Sequence, residues 1–243
     1  MQVLNDILGY KDRKIFQDDR YFSFSLDSVM LANFVNIRMR DKKILDLGTG
    51  NAIIPLILSL RTNKKIVGVE IQNNLVQLAK KSVKYNNLEE QITIINSDMK
   101  DYRIDGDDDL YDIITCNPPY FKVDNNKTTN LTLEKTIARH EVKITLSDVF
   151  SVSKKLLKAK GIFALVHRSE RLLEILNLFR DNDIEPKRLQ FVYEKLKKSP
   201  TLVLIEGVKN AKPGLKVESP FVLYDEKGNM TEEYSNLLKE VKR

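Results

Sequence analysis

The stretch ILDLGTGN, residues 44–51, decides the fold of this chain. A short apolar run ends at two glycines, Gly48 and Gly50, and an apolar segment of helical length follows. A buried strand, a glycine turn and a helix in this order form the opening unit of a doubly wound α/β sheet. Glycines permit a tight turn and let a ligand approach the backbone, and the N–H groups that begin a helix are unpaired. The stretch therefore predicts a ligand site at the carboxyl end of a parallel strand.

The same alternation of short apolar runs and amphipathic stretches continues along the 243 residues. It predicts strands at 43–47, 66–70, 92–95, 110–116, 161–167, 189–194 and 202–208, and helices at 29–35, 51–60, 73–85, 146–158 and 170–180. The last two strands are expected to form a hairpin. We therefore predict an α/β, Rossmann-like fold with a seven-stranded, mostly parallel sheet, a C-terminal antiparallel hairpin and helices on both faces.

Composition and charge restrict the class of protein. The chain is 42 % hydrophobic and 30 % charged, which is typical of a folded domain. One cysteine excludes an intramolecular disulfide, and one cysteine with two histidines argues against a zinc site, so we expect no metal. The net charge of +6 favours nucleic acid or another anionic partner. We expect a cytoplasmic protein without membrane association, because we find neither a signal peptide nor a run of roughly 20 apolar residues.

Two polar segments interrupt the pattern. Residues 121–143 show little periodicity, and long irregular segments in compact domains are commonly functional loops or disordered. Their position directly after a predicted strand favours a lid or a binding loop. The acidic segment DGDDD, residues 105–109, lacks the residue spacing of a calcium-binding EF-hand loop. We interpret it as a solvated connection.

The glycine turn excludes two common phosphate ligands. Ile53 stands where a dinucleotide site requires a third glycine or alanine. The Gly-Lys-Ser/Thr sequence of an ATP-binding P-loop is absent as well. Asp46, just before the glycines, would repel a phosphate and suits a cationic ligand.

Acidic residues also follow the next two predicted strands. Glu70 ends the second strand, where it can accept hydrogen bonds from a ribose diol, and Asp98 follows the third, where it can accept from an adenine amino group. Singly, Asp46 or Asp98 could be a helix cap and Glu70 a surface acid. Their order at successive strand ends favours one ligand with an adenine, a ribose and a cationic tail. S-adenosylmethionine matches this description, so the residues predict a class I methyltransferase.

The sequence Asn-Pro-Pro-Tyr, residues 117–120, ends the fourth predicted strand and resembles the signature of methyltransferases that act on amino or amide nitrogens. An exocyclic amine is a poor nucleophile, because its lone pair is shared with the ring. The Asn117 side-chain oxygen and the Pro118 carbonyl can each accept one N–H and stabilise the developing positive charge, while proline restricts the turn. Tyr120 and Phe121 can stack on a planar substrate. A Pro-Pro turn with a packed tyrosine is the alternative interpretation.

The N-terminal 40 residues are predicted to cover the cofactor site. Residues 17–28 are rich in aromatic and acidic side chains and precede the helix predicted at 29–35, which Asp27 or Ser28 could cap. We interpret residues 1–40 as a flap and helix over the cofactor, with an aromatic lid packed on the core as the alternative. Residues 41–243 form the predicted methyltransferase domain.

The chain resembles the bacterial tRNA adenine-N6 methyltransferases that modify the adenosine beside the anticodon of valine tRNA. The resemblance covers nearly the whole chain, and one departure is Ser169, where we expect a proline. It is carried by FSLD at 24–27, DLGTG at 46–50, GVE at 68–70, NPPYF at 117–121, ARHE at 138–141, HRSERL at 167–172, KKSP at 197–200 and LIEG at 204–207.

The resemblance implies a function, a partner and site residues. The activity would be methyl transfer from S-adenosylmethionine to the N6 of adenosine 37, and the partner a tRNA anticodon stem-loop, with no obligate protein partner. Residues 117–120 would be catalytic. The cofactor would be held by Phe24, Asp27, Asp46, Gly48, Thr49, Gly50, Glu70, Ile71, Asp98, Met99 and Asn117. The RNA would be bound by Tyr120, Phe121, Arg139, Arg168, Lys195, Lys197 and Lys198.

Other substrates and one other class of protein stay open at this point. Methylation of ribosomal RNA guanine, DNA adenine or a protein glutamine uses a similar turn. The glutamine methyltransferases typically carry a helical N-terminal domain, and only about 40 residues precede the first predicted strand here. A non-catalytic RNA-binding protein could retain the fold, but the intact Asn117 and the cofactor acids argue against it.

Overall fold

A computed structural model describes residues 2–7, 10–18, 26–106, 109–120 and 144–238, except for the side chain of Lys11. The strands are β1 (Gln2–Ile7), β2 (Tyr10–Asp18), β3 (Lys43–Leu47), β4 (Lys65–Glu70), β5 (Ile92–Asn96), β6 (Tyr111–Cys116), β7 (Leu157–Arg168), β8 (Ile184–Tyr193), β9 (Leu202–Lys209), β10 (Lys216–Val217) and β11 (Phe221–Val222). The α-helices are α1 (Leu26–Phe34), α2 (Ile53–Arg61), α3 (Asn73–Tyr85), α4 (Leu146–Leu156), α5 (Leu172–Asp181) and α6 (Glu232–Leu237).

The central sheet confirms the predicted topology. Its long strands run in the order β8-β9-β7-β6-β3-β4-β5. Strands β3 to β7 pair in parallel, whereas β9 is antiparallel to both β7 and β8. The short strands β10 and β11 both pair with β8, which makes the sheet nine-stranded instead of the predicted seven. Strands of two residues carry no periodicity, so the sequence pattern could not predict them.

Two apolar layers cover the sheet, as expected for helices on both faces. Alternate residues of a strand point to opposite faces, and in β3 Ile44 joins one cluster of buried residues while Leu45 joins the other. Helices α1, α2 and α3 supply the first layer. Helices α4 and α5 supply the second, where Phe150 and Phe179 pack edge to face with ring centroids 4.8 Å apart.

The structure corrects several predicted boundaries. Helix α1 begins at Leu26, so Asp27 and Ser28 lie in its first turn and the prediction that one of them caps a helix at 29–35 is wrong. Helix α2 begins at Ile53, two residues late, because Ala52 has a left-handed backbone with φ 71°. Helix α4 ends at Leu156 and β7 begins at once, whereas we expected helix to 158.

The second half of the chain shows two further differences. The first two residues of the helix predicted at 170–180 belong to a 3₁₀ turn, Ser169–Arg171, and the α-helix α5 begins only at Leu172. Strand β8 starts at Ile184, five residues before the predicted start, and its register with β9 shifts between Pro186 and Arg188. A register irregularity disturbs the period-two pattern on which the prediction depended.

The N-terminal segment forms an antiparallel hairpin of β1 and β2, which the sequence did not predict. The hairpin is attached to α3: the backbone N–H of Phe16 donates to Ser82 Oγ at 2.9 Å, and that of Lys14 donates to Asn86 Oδ1 at 3.0 Å. The paired strands β1 and β2 therefore lie beside α3, in the helical layer that covers the main sheet.

Helix α1 is fixed at its C-terminal end by two arginines. Arg61 donates to the carbonyls of Ala32 and Val35, and Arg188 donates to the carbonyl of Phe34. The guanidinium of Arg188 also lies 4.0 Å from the Phe34 ring centroid. Cationic side chains donate to the free carbonyls at the end of a helix and stabilise its negative potential, so these contacts hold the C-terminal end of α1.

None of the described helices is long and apolar enough to cross a membrane.

Candidate active site

The predicted site residues gather at the carboxyl edge of the sheet. The parallel register places the ends of β5, β4, β3, β6 and β7 side by side, with Leu47 of β3 opposite both Val69 of β4 and Cys116 of β6. The edge therefore brings together the glycine turn, Glu70, Asp98, Asn117 and Arg168. In the described part of the chain, no cluster of three or more His, Cys, Asp or Glu could hold a metal ion.

Glu70 holds the glycine turn in place. The N–H of Gly50 donates to Glu70 Oε2 and the N–H of Gln72 to Oε1, both at 2.9 Å. Gly48 and Gly50 have φ of 68° and 56°, a left-handed conformation that glycine adopts without strain. Burial raises the pKa of Glu70, which these N–H groups oppose. Each carboxylate oxygen keeps a lone pair for a further donor, so Glu70 can also accept from a ribose diol.

Asp46 is a buried carboxyl group with an unsatisfied oxygen. Only 1 % of the residue is exposed, and the Thr115 hydroxyl donates to Oδ1 at 2.7 Å. Oδ2 has no hydrogen-bond partner within the described residues, and burial raises the pKa of the group to about 7. The interpretation as a helix cap is wrong, because Ala52 occupies the N-cap of α2 and makes no side-chain cap. A buried, partnerless carboxylate oxygen fits a cationic ligand group.

Asp98 caps a turn, whereas the alternative interpretation proposed that it caps a short helix; residues 98–102 form no helix. Its Oδ1 accepts from the N–H of Lys100 at 2.9 Å, and its carbonyl accepts from the N–H groups of Asp101 and Tyr102. Its Oδ2 lies 3.6 Å from Lys100 Nζ, a long contact that leaves acceptor capacity for an adenine amino group.

Apolar side chains stand beside these acids. A Cβ added at Gly48 would lie 3.7 Å from Met99 Cε, so the methionine covers the glycine turn. Ile71, directly after Glu70, is 39 % exposed. A flat adenine ring would find an apolar wall on both residues, and Thr49 is buried within the turn. The set is therefore compatible with S-adenosylmethionine.

The turn at residues 117–120 contacts the first turn of α1. Asn117 Nδ2 donates to Ser28 Oγ at 2.8 Å. The Tyr120 hydroxyl lies 2.6 Å from Asp27 Oδ2 and 3.0 Å from Asn117 Oδ1. Pro118 is buried and Pro119 is exposed. Asp27 was expected to hold the cofactor. In the structure its carboxylate accepts a hydrogen bond from the Tyr120 hydroxyl.

Tyr120 is half-buried, and its ring packs beside β7. Its centroid lies 4.9 Å from that of His167, and the Arg168 guanidinium lies 5.4 Å from it. Burial and the Asp27 carboxylate raise the pKa of the Tyr120 hydroxyl. Burial and Arg171 lower the pKa of His167 to about 4, so both rings are uncharged at neutral pH. The packed-tyrosine alternative thus describes part of this arrangement, because the ring contacts protein as well as the site.

The connection between β8 and β9 reaches the same edge. Leu202, at the start of β9, pairs with Arg168, at the end of β7, and Ser169 donates its N–H to the carbonyl of Thr201 at 3.3 Å and its hydroxyl to that of Pro200. The serine that replaces the expected proline therefore attaches this connection to β7.

The three lysines of the connection are not a free cationic cluster. Lys197 and Lys198 form ion pairs of 2.8 Å with Glu226 and Glu194. The connection joins β9 and β8, which lie two and three strand spacings from β6, or about 10 and 15 Å. A ligand that contacts both the connection and the end of β6 must therefore be larger than one nucleotide.

Three expected residues, Phe24, Phe121 and Arg139, lie outside the described residues. The sequence predicted no site role for Thr115 or His167, and a role for Ser28 only as a helix cap. A polar residue in the apolar strand YDIITC was the available signal for Thr115.

Comparisons with known proteins agree with this geometry. The family model described as methyltransferase small domain matches residues 24–181. A relative named tRNA1(Val) (adenine(37)-N6)-methyltransferase, from Parabacteroides distasonis, is 26 % identical over 98 % of both chains. One of the same name from Trichodesmium erythraeum is 29 % identical over 73 % of this chain and 77 % of its own.

Solved structures share the fold at low identity. A predicted O-methyltransferase from Agrobacterium tumefaciens has a TM-score of 0.67 at 16 % identity and covers 90 % of this chain and 99 % of its own. TYW2 from Pyrococcus horikoshii, in complex with MeSAdo, has a TM-score of 0.59 at 12 % identity and covers 86 % and 72 %. The family model spans well over half of the residues, so the chain belongs to the methyltransferase small domain family.

Proposed function

We propose that this protein transfers a methyl group from S-adenosylmethionine to the exocyclic N6 of adenosine 37 in a valine tRNA. The observation that carries the proposal is the turn at residues 117–120, which ends β6 beside the glycine turn of β3. The names of the relatives supply the substrate, and one of them aligns over 98 % of this chain.

The cofactor supplies an electrophilic methyl group when bound. Glu70 would accept from its ribose hydroxyls, Asp98 from its adenine amino group, and Asp46 from its ammonium group. The glycine turn, Gly48 to Gly50, would let the cofactor lie close to the backbone. Ile71 and Met99 would shield the adenine from water. Bound by these residues, the cofactor would lie beside the 117–120 turn that ends β6, so that the two reacting groups are held close together.

The turn at 117–120 would hold the target nitrogen. Asn117 Oδ1 and the Pro118 carbonyl accept the two amine hydrogens, which favours the lone pair on nitrogen and stabilises the positive charge that develops there. Catalysis then consists mainly of positioning, and no strong base is required because the proton can leave after transfer. An adenine in an anticodon loop is accessible, since bases in RNA loops can be splayed out of the stack.

We also propose that residues 1–40 act as a flap and helix over the cofactor. The support is the contact of Asp27 and Ser28 on α1 with the turn at 117–120.

Asp46 makes a testable prediction about pH. Its raised pKa of about 7 means that a proton must leave before the carboxylate can receive the cationic end of the cofactor. We expect the affinity for S-adenosylmethionine to fall about tenfold for each pH unit below 7. Isothermal titration between pH 8 and 5.5, in two buffers of different ionisation enthalpy, measures both the affinity and the proton release.

The variant Asp46→Asn is the control. It should bind weakly at every pH, with no proton release. The native state of the wild type retains this proton at a higher pH than the unfolded state does, so its stability falls as pH rises from about 4 to 7. Without ligand, Asp46→Asn should therefore have a higher melting temperature than the wild type at pH 8. The difference between the two melting temperatures should be smaller at pH 5. An affinity of the wild type that is equal at pH 5.5 and pH 8 would contradict this role.

The basic connection between β8 and β9 makes a prediction about salt. We expect replacement of Lys195, Lys197 and Lys198 by glutamine to weaken tRNA binding and to lower the slope of log affinity against log salt concentration by about one to two, because each phosphate contact contributes about 0.7–0.9. Because two of these lysines already form ion pairs, we expect the slope to change by less than the loss of three full phosphate contacts would give.

A matched control for this variant is replacement of Lys80, Lys81 and Lys84, which are exposed on α3 and change the net charge equally. The control should leave the slope nearly unchanged. Equal salt slopes for both triple variants would show that the β8–β9 connection is not part of the RNA interface.

The proposed substrate is tested by offering labelled S-adenosylmethionine with unmodified total tRNA, ribosomal RNA, DNA and protein in parallel. Label in tRNA alone, recovered as N6-methyladenosine, supports the proposal. Label in ribosomal RNA, DNA or protein instead would support the methyltransferase activity and contradict the assignment of tRNA as its substrate. Retained tRNA binding with no label in any of the four would favour a non-catalytic RNA-binding protein.

A further inference from the structure

The first turn of α1 contacts the two polar side chains of the 117–120 turn separately. Ser28 is 6 % exposed and accepts from Asn117 Nδ2 at 2.8 Å. Asp27 accepts from the Tyr120 hydroxyl at 2.6 Å. Helix α1 is itself held at its other end by Arg61 and Arg188.

The Ser28 contact holds the Asn117 amide in place, with Nδ2 toward α1. An amide group presents an acceptor on one side and donors on the other, and a target amine needs the acceptor. With Nδ2 directed at Ser28, Oδ1 is the atom that remains on the Tyr120 side. The opposite orientation would set N–H groups against the N–H groups of the substrate.

The Asp27 contact sets the direction of the Tyr120 proton. The hydroxyl has one hydrogen and lies near two acceptors, Asp27 Oδ2 at 2.6 Å and Asn117 Oδ1 at 3.0 Å. A hydrogen bond to a carboxylate is shorter and stronger than one to an amide oxygen. The hydroxyl hydrogen is therefore directed mainly at Asp27, and Asn117 Oδ1, which has two lone pairs, can accept from a substrate amine as well.

We propose that Ser28 and Asp27 are positioning residues for the transfer step: Ser28 holds the amide of Asn117 in place, and Asp27 holds the Tyr120 hydroxyl beside it. This inference rests on the proposed function. It gives α1 a role in the reaction that is separate from binding the cofactor.

The Ser28 part is tested with Ser28→Ala, Ser28→Thr and the control Ser59→Ala, which removes a buried helical hydroxyl on α2. We expect Ser28→Ala to lower kcat 10- to 100-fold while the Kd for S-adenosylmethionine stays within twofold. Ser28→Thr keeps the hydroxyl and should stay within about threefold of the wild-type kcat, as should Ser59→Ala. If Ser28→Ala retains the wild-type kcat, or loses rate and cofactor affinity together, the proposal is overturned.

The Asp27 part is tested by a double-mutant cycle. Asp27→Asn should lower kcat in the wild type about tenfold but have no further effect in Tyr120→Phe, because the hydroxyl that Asp27 controls is then gone. Equal effects of Asp27→Asn in both backgrounds would show that Asp27 acts elsewhere.

A crystal structure of Ser28→Ala separates this inference from the substrate assignment, since it needs no activity. The Asn117 amide should leave the position described here, with the 117–120 backbone unchanged. An amide that stays in place without the serine hydroxyl would refute the positioning role, even if the tRNA proposal holds. If the wild-type enzyme is inactive on tRNA but the amide does move in Ser28→Ala, the proposed function alone is refuted.

Discussion

Replacing Asn117 with alanine is expected to lower the rate of methyl transfer about 1,000-fold and to leave the Kd for S-adenosylmethionine within twofold. Loss of one preorganised polar group that stabilises charge in the transition state costs roughly 100- to 1,000-fold. The upper value applies because Asn117 also takes part in the contacts of Ser28 and Tyr120. Single-turnover transfer and isothermal titration on the same preparation measure the two quantities.

Asn117→Asp is the matched control for this prediction. It preserves the shape and one acceptor oxygen, so it should retain more activity than Asn117→Ala. Its second oxygen would face the Ser28 hydroxyl, which can donate as well as accept. A parallel loss of rate and cofactor affinity in Asn117→Ala would contradict the role of this residue at the target nitrogen.

Replacing Glu70 with alanine is expected to raise the Kd for S-adenosylmethionine at least 100-fold. The variant loses the acceptors for a ribose diol, and each hydrogen bond to a charged group contributes about 1.5–3 kcal/mol. It also leaves the N–H groups of Gly50 and Gln72 without the carboxylate that holds them. At saturating cofactor, kcat should fall less than tenfold, because the 117–120 turn is unchanged.

Glu70→Gln separates the two contributions to cofactor affinity. It keeps one acceptor oxygen but sets its NH₂ group against one backbone N–H, so we expect an intermediate loss of about tenfold. A Kd for Glu70→Ala equal to that of the wild type would exclude Glu70 from the cofactor site and leave it as the anchor of the glycine turn.

The sequence predicted those parts of the fold that periodicity encodes. Strand β3 and helix α3 have the predicted bounds, because a buried strand and a two-faced helix each show a clear pattern. The β1–β2 hairpin was missed, since β1 is mostly exposed and its pairing with β2 is not visible in local alternation. The left-handed Ala52 and the register shift of β8 were likewise invisible.

The candidate site shows the same division. The acids at the strand ends and the Asn-Pro-Pro-Tyr turn were found from residue type and order. Their contacts were not, because Asn117 and Ser28 are 89 residues apart in the chain and only the packing of α1 brings them together. The resemblance implied that lysines of the β8–β9 connection bind RNA, and only the structure shows that two of them form ion pairs with Glu194 and Glu226.

The most direct test of the central claim compares two valine tRNA transcripts, one with adenosine at position 37 and one with guanosine there. Each is incubated with the wild-type protein and labelled S-adenosylmethionine, and the nucleosides are then analysed. We expect N6-methyladenosine in the first transcript and no label in the second. Equal label in both transcripts, or none in the first when the protein binds the cofactor, would contradict the account.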